Sequence, residues 1–353
     1  MKILYGIQGT GNGHMSRAHA MAAALANYPE VEMTWLVSGR AIDELFDAMP
    51  DFLWRKGLTF RSRDGRVQFL QTFLANNYIQ FVRDVITLDL NAFDHIVLDF
   101  EPVSAWAARL AGRQSLGIGH QYAFAYPVPM QGESAFTRFG LRTFAPVTRS
   151  LGLHWHHFNY PVLPPIIDLA GHRREQAVPD KVVVYLPFED QQKVVNMLRP
   201  LSTHHFHVYG PGLVDRDDGH IHTRALSRDG FKQDLVSAES AICNAGFELI
   251  SECLTLGVRV LTRPVDQQLE QLSNALALEE LQYARVLYAL DANAIGDWLG
   301  DGGFVKIDFG SVHEQIAAWL VGGQKQRIED LAEETWRDVT VERLDRSAAS
   351  VAA

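Results

Sequence analysis

The chain repeats a strand that needs cover on both faces followed by a helix. Ile96-Val97-Leu98 runs without a polar break before Asp99-Phe100-Glu101-Pro102, and Val182-Val183-Val184 does the same inside Lys181–Pro187. Short runs of this kind belong to a parallel sheet with helices packed on each side. The alternation starts at the N-terminus, with strands over Lys2–Ile7 and Val31–Val37 and helices over Ser16–Asn27 (Ser16 at the N-cap), Ala41–Ala48 and Val103–Ala111. It breaks at Tyr160-Pro161-Val162-Leu163-Pro164-Pro165, where the prolines impose extended chain. It then restarts with strands at Lys181–Pro187, Phe206–Tyr209, Ser240–Cys243 and Val258–Thr262 and helices at Phe247–Thr255 and Glu270–Leu281. Val312–Leu344 reads as one amphipathic helical stretch. The pattern predicts an α/β protein with two Rossmann-like parallel-sheet units, 1–165 and 181–345, joined by a linker at 166–180 and ending in a frayed tail, 346–353.

Two such units face each other across a cleft at the carboxyl ends of their strands, where open α/β sheets bind ligands. With 353 residues, 47% of them hydrophobic, the chain has ample material for two cores. A formal charge of −10 argues against a nucleic-acid partner. The first 165 residues are nearly neutral, with 14 basic against 13 acidic side chains, so the acidity lies in the second unit. In the first unit, Arg55, Lys56, Arg61, Arg63, Arg66 and Arg83 flank the apolar stretch Phe69–Leu74, which reads as a solvated helix face or as a surface for an anionic or lipid-linked acceptor at a membrane. Cys243 and Cys253 lack a disulfide or metal-ligand pattern, and the N-terminus lacks the form of a signal peptide. No apolar run is long enough to span a bilayer. A cytoplasmic protein, peripheral to the membrane at most, is expected.

Four clusters could carry chemistry. Gly9-Thr10-Gly11-Asn12-Gly13-His14 follows the first strand, and its glycines allow close approach of a ligand to backbone N–H groups. It is neither a Walker loop nor a dinucleotide fingerprint, and it delivers an imidazole, suited to general-base work, to the rim of the cleft. Asn244-Ala245-Gly246-Phe247 turns from a strand into a helix whose N-terminus would face a diphosphate, with Glu252 further along placed to hold ribose hydroxyls. Arg263 to Ala275, including Glu270 and Gln271, is dense in groups that recognise sugar hydroxyls. Asp99 and Glu101 end a buried strand, where one of them could orient His14, Glu101 could instead touch the acceptor, or both could simply cap the next helix; His120-Gln121-Tyr122 forms another polar turn on that side. Asp215-Arg216-Asp217-Asp218 holds an Asp-x-Asp pattern but reads as solvated surface.

Together these clusters resemble the GT-B glycosyltransferases, in the branch that holds MurG and the UDP-glycosyltransferases. The resemblance spans nearly the whole chain and is sharpest at Gly9–His14 and at Asn244–Glu252 with Gly257-Val258, Glu270-Gln271 and Asn274-Ala275. It implies an inverting transferase that needs no metal or other cofactor and uses a nucleotide-sugar donor, expected to be a UDP-sugar. It further implies His14 as the base, the turn at Ala245-Gly246-Phe247 on the diphosphate, Glu252 on the ribose and Glu270 and Gln271 on the donor sugar. From the residues themselves, Asp99 or Glu101 is expected beside the base, Gly11, Gly13 and Asn244 on the donor and His120, Gln121 and Tyr122 on the acceptor side. Two departures stand out: Asn12 interrupts the glycines before His14, and Phe247-Glu248 replaces small or hydroxyl residues. A nucleotide-sugar 2-epimerase and a non-catalytic nucleotide-sugar-binding protein share the architecture. The acceptor, whether small molecule, polysaccharide or lipid-linked glycan, is not written in the sequence.

Overall fold

A computed structural model describes residues 1–45, 48–59, 62–63, 66–67, 76–132 and 134–345. Its strands are β1 (Lys2–Gln8), β2 (Glu32–Ser38), β3 (Leu53–Trp54), β4 (Ser62–Arg63), β5 (Arg66–Val67), β6 (His95–Asp99), β7 (Leu116–Gly119) and β8 (Arg149–Gly152) in the first half. The second half holds β9 (Lys181–Tyr185), β10 (His205–Tyr209), β11 (Arg216–Asp218), β12 (Ile221–Arg224), β13 (Ser240–Asn244), β14 (Arg259–Arg263), β15 (Arg285–Val286), β16 (Gly303–Asp308) and β17 (Thr340–Asp345). One sheet runs β3-β2-β1-β6-β7-β8 and is wholly parallel. The other runs β11-β12-β10-β9-β13-β14-β15 and is parallel except for the edge strand β11. Strand order reverses at β1/β6 and at β9/β13, so each sheet has a topological switch point where its strand ends open toward a ligand.

The strands are apolar on both faces because both are covered. β13 and β14 are buried at every position, and Ile96, Val97 and Leu98 are at most 2% exposed. Helix Gly13–Leu25 covers the first sheet with Met15, Ala18, Met21, Ala24 and Leu25. Helix Pro102–Leu110 packs on the opposite face beside Phe100 and Tyr122.

Several expected elements differ. Helix Gly13–Leu25 starts three residues before Ser16, and Asn12 is its N-cap residue. The helix expected over Ala41–Ala48 is a 3₁₀ turn at Ile42–Glu44 within the described residues, with Ile42 58% exposed and Leu45 packed against the core. Val312–Leu344 is not one helix: Val312–Val321 stops at Gly322-Gly323, Ile328–Arg337 follows, and Thr340–Asp345 pairs antiparallel with β16. Gly323 supplies the left-handed turn (φ +79°), and β-branched Thr340-Val341 favour the strand.

The sequence reading keeps 181–345 as one unit, yet its last helices cross back. Val312, Ile316 and Ala317 join the core of Met15, Ala18 and Met21, and the Trp336 indole donates to the Val162 carbonyl at 2.6 Å. Phe69–Leu74, Arg61 and the tail 346–353 lie outside the described residues. No helix among the described residues is long and apolar enough to cross a membrane.

Candidate active site

The glycine loop turns the chain from β1 into the first helix. The Gly9 N–H donates to the Ser38 carbonyl at 2.6 Å, so close that a Cβ there would crowd it, and Gly11 takes φ +96°. His14, in the first turn, meets Asp99 at the end of β6, with Nδ1 2.7 Å from Oδ1. Arg17, one turn further along the same helix, grips the same carboxylate with Nε to Oδ2 and Nη2 to Oδ1, both at 2.7 Å. Asp99 has no exposure. Burial pushes its pKa up, but the Arg17 guanidinium and His14 outweigh burial and hold it below the usual carboxylate range. An ionised Asp99 only accepts, so the His14 proton sits on Nδ1 and Nε2 keeps its lone pair. Arg17 Nη2 also lies 2.9 Å from His14 Nδ1, which is the third side of a triangle in which Oδ1 accepts from both.

Three expectations about this side are corrected. Glu101 is not part of the reacting surface. It has no exposure, caps helix Pro102–Leu110 by accepting from the N–H groups of Val103 and Ser104 at 2.7 Å, and takes the hydroxyls of Ser38 and Ser104 at 2.5 Å. Tyr122 does not line the cleft either: it packs on Phe100 on the other face of the sheet, with its hydroxyl toward the Ala145 carbonyl. His120 is fully buried between the halves rather than open to an acceptor. Its Nδ1 lies 2.8 Å from the Leu153 carbonyl, its Nε2 2.6 Å from Asn274 Oδ1, and its ring stacks on Phe247 at 3.9 Å. Gln121 reaches the second half, donating to Glu270 at 3.1 Å, while its Oε1 is buried without a hydrogen-bond partner among the described residues.

In the second half, Gly246 is the N-cap residue of helix Phe247–Leu256 and no side chain caps that end. The preceding Ala245 is held by Asn274, whose amide donates to the Ala245 carbonyl at 2.9 Å. Asn244 donates to the Arg263 carbonyl at 3.0 Å, tying β13 to β14. Phe247 is 1% exposed, in an aromatic wall with His120 and Trp155, so only its backbone is placed to meet an anion. Glu252 does not offer a carboxylate to a ribose: it is 3% exposed and ion-paired with Lys232, itself 4% exposed. Burial pushes its pKa up, and Lys232 opposes that shift. Gln271 uses its carbonyl oxygen to hold the Val265 N–H at 2.9 Å, which spends half of the amide expected to face a sugar. Glu270 keeps its place beside Gln121 at the cleft. Of the Asp-x-Asp pattern, Asp217 lies in the exposed edge strand β11 and accepts from His222 and Arg224, while Asp215 precedes the strand and accepts from the Ala225 N–H.

Other cleft residues escaped the sequence reading. Arg17 carried one signal, its i, i+3 spacing from His14 on a single helix face. Glu248, which stands where small or hydroxyl residues are common, pairs with Arg17 across the cleft, and a Cβ at Gly13 would overlap its carboxylate. Gly13 is therefore explained by an approaching side chain. Asn12 also crosses the cleft, donating to the Tyr185 hydroxyl at 3.0 Å while accepting from Arg40 at 2.9 Å.

The aromatic wall includes His154, whose Nδ1 accepts from the Trp155 N–H at 2.9 Å and whose Nε2 has no hydrogen-bond partner among the described residues. Burial, followed by repulsion from His120 and His156, holds its pKa well below the ordinary histidine value. The unfolded chain takes up that proton near pH ~6.5 while the folded chain does not, so stability is lost as pH falls below that point. Each such histidine costs up to about 1.4 kcal/mol per pH unit. The melting temperature is expected to fall between about pH 7.5 and about pH 5.5, and His154→Phe to flatten that dependence. An equally steep curve in the variant would assign the effect to other groups.

Two doubly wound sheets meeting at their carboxyl ends, with a histidine–aspartate pair on one side and an open helix N-terminus on the other, define the GT-B architecture. The chain belongs to glycosyl transferase family 1, whose model matches residues 1–301. No curated protein matches it in sequence. Among solved structures it is similar to UGT89C1 of Arabidopsis thaliana complexed with UDP, at 13% identity and a TM-score of 0.54–0.56 between two complexes of that protein, covering 95% of this chain and at least 94% of that one. It is also similar to the glycotransferase of kitacinnamycin (15% identity, TM-score 0.54, 99% of this chain and 98% of that one). The MurG of Acinetobacter baumannii matches at 13% identity with a TM-score of 0.51, over 85% of this chain and 90% of that one. At these identities the likenesses establish the fold.

Proposed function

We propose that the protein is an inverting glycosyltransferase that moves a sugar from a nucleoside diphosphate donor, a UDP-sugar, to a hydroxyl acceptor. The observation that carries this reading is His14 held by an ionised, buried Asp99 with Nε2 left as the basic nitrogen. An acceptor oxygen attacks the anomeric carbon, the bond to the diphosphate breaks, and the acceptor proton passes to Nε2. The uncapped first turn of Phe247–Leu256 takes the charge of the departing diphosphate through the backbone at Gly246-Phe247, so the step needs no metal. Glu270, which accepts from Gln121, binds donor-sugar hydroxyls in this reading. A structure of the same fold bound to UDP supports the choice of nucleotide.

Incubation with a panel of nucleotide sugars tests the reading. A thermal upshift with UDP-sugars, slow release of UDP into water and no change on adding a chelator are the expected results. Interconversion of the sugar at C2 without release of nucleotide would mean an epimerase, and binding without any turnover in the presence of acceptors would mean a sensor.

The acceptor side also favours contact with an anionic membrane, where a lipid-linked acceptor would lie. Helix Tyr78–Ile86 exposes Tyr78, Ile79, Val82 and Ile86 next to Arg83, and an apolar face carrying a cation suits such a surface. The protein is expected to sediment with vesicles rich in phosphatidylglycerol and not with phosphatidylcholine alone. Replacing Ile79 and Ile86 with glutamate should abolish that; equal sedimentation of the variant would remove the membrane from the reading.

A further inference from the structure

Arg17 raises a question that the dyad alone does not answer. Its guanidinium is 1% exposed and grips Asp99 with two nitrogens at 2.7 Å, so the charge of Asp99 is already matched before His14 takes a proton. A bare histidine–aspartate pair becomes neutral overall when the base is protonated. With Arg17 added, the same event would leave a net positive charge in a buried site, which is costly. The missing negative charge comes from the other half of the molecule. Glu248, in the first turn of helix Phe247–Leu256, reaches over Gly13 and pairs with the third nitrogen of Arg17. Its side chain is 15% exposed, against 1% for Arg17.

We propose that Arg17 and Glu248 are positioning residues that complete the charge balance of the His14 site only when the two halves are closed on each other. This rests on His14 being the base, as argued above. With Glu248 in place, His14, Asp99, Arg17 and Glu248 carry one net negative charge before proton transfer and none after it. With Glu248 withdrawn they carry none before and one positive charge after, and the base is weakened. The donor half therefore brings both the leaving-group site and the carboxylate that lets His14 accept a proton, and an open cleft leaves the base poorly active toward water. Gly13 is required because any side chain would block the path of Glu248. Among the described residues, the other charged or titratable groups acting on this cluster are Glu270 from helix Leu269–Leu281, Tyr5 from β1, and His120 and Tyr122 after β7, and none of them touches Arg17 as Glu248 does.

The test reads protonation of His14 directly and needs neither donor nor acceptor. The full-length protein, labelled in its histidine rings with ¹⁵N, is titrated by NMR, and the His14 signal is assigned by its disappearance in His14→Gln. Glu248→Gln is expected to move the His14 titration to lower pH by about 1, and Arg17→Met to move it to higher pH, each being the loss of one nearby charge of opposite sign. Coincident titrations in wild type and Glu248→Gln would overturn the proposal, as would shifts of the same sign in the two variants. Should Arg17→Met fail to fold, the less deeply buried position of the partner, 15% exposed against 1%, keeps Glu248→Gln decisive, with Glu248→Asp expected to restore part of the shift. A protein that shows these shifts yet transfers no sugar would sink the transferase reading and leave the coupling intact.

Discussion

His14→Ala is expected to lower sugar transfer about 10²–10⁴-fold while UDP binding stays unchanged. Nε2 of His14 is the one nitrogen of the Asp99–His14–Arg17 cluster left with a lone pair, and the proposed donor contacts lie in the other half of the molecule. The loss should therefore fall on kcat, with the affinity for nucleotide, measured by calorimetry, untouched. Asp99→Asn should cost nearly as much. An amide at that position can present N–H to Nδ1, which favours the tautomer with the proton on Nε2, the wrong nitrogen. Glu101→Gln separates the two acids of the same strand end. It disturbs a helix cap and not the reacting nitrogen, so it should lower stability by ~1 kcal/mol and leave the rate per folded molecule unchanged. Full activity in His14→Ala would remove the base from the mechanism, and a rate defect in Glu101→Gln at unchanged stability would restore that acid to the site.

Much of this arrangement was legible because local rules were sufficient. The valines of β9 and the run Ile96-Val97-Leu98 can only be buried on both faces, and that identifies a parallel sheet without any knowledge of partners. Gly9, Gly11 and Gly13 likewise announce a turn that side chains would obstruct. What could not be read is what depends on the chain folding back on itself. In the sequence Gly13 reads as room for a ligand, and in the fold that room holds Glu248, more than two hundred residues away. Asp99 and Glu101 sit two residues apart with similar local chemistry. The strand ends at Asp99, and Phe100 takes a left-handed conformation (φ +51°), so Asp99 faces the cleft while Glu101 becomes the cap of the next helix. Glu252 matched a family position, but whether its carboxylate is free depends on Lys232, on a different helix. Burial of a charge is a tertiary property, and sequence carries almost no trace of it.

That pair makes Glu252→Ala the substitution with the largest expected effect on stability. Glu252 and Lys232 are 3% and 4% exposed, with Asp168 and Arg228 acting on Glu252 as the next charges. Removing the carboxylate strands a buried ammonium, a change that costs about 3–5 kcal/mol. At roughly 2–4 °C per kcal/mol for domains of this size, the melting temperature should drop by about 6–20 °C. Lys232→Met should do comparable damage by stranding the carboxylate. The double replacement, Lys232→Met with Glu252→Leu, leaves no uncompensated charge and should recover most of the loss, because apolar groups of similar volume satisfy a buried site as well as an ion pair does. Thermal melts of the wild type, Lys232→Met, Glu252→Leu and the double replacement, followed by circular dichroism, close the cycle and give the coupling between the two positions. Two single variants whose losses simply add in the double would show that the pair is not coupled. A Glu252→Ala protein that melts like wild type but loses its affinity for UDP would instead return this carboxylate to the ribose.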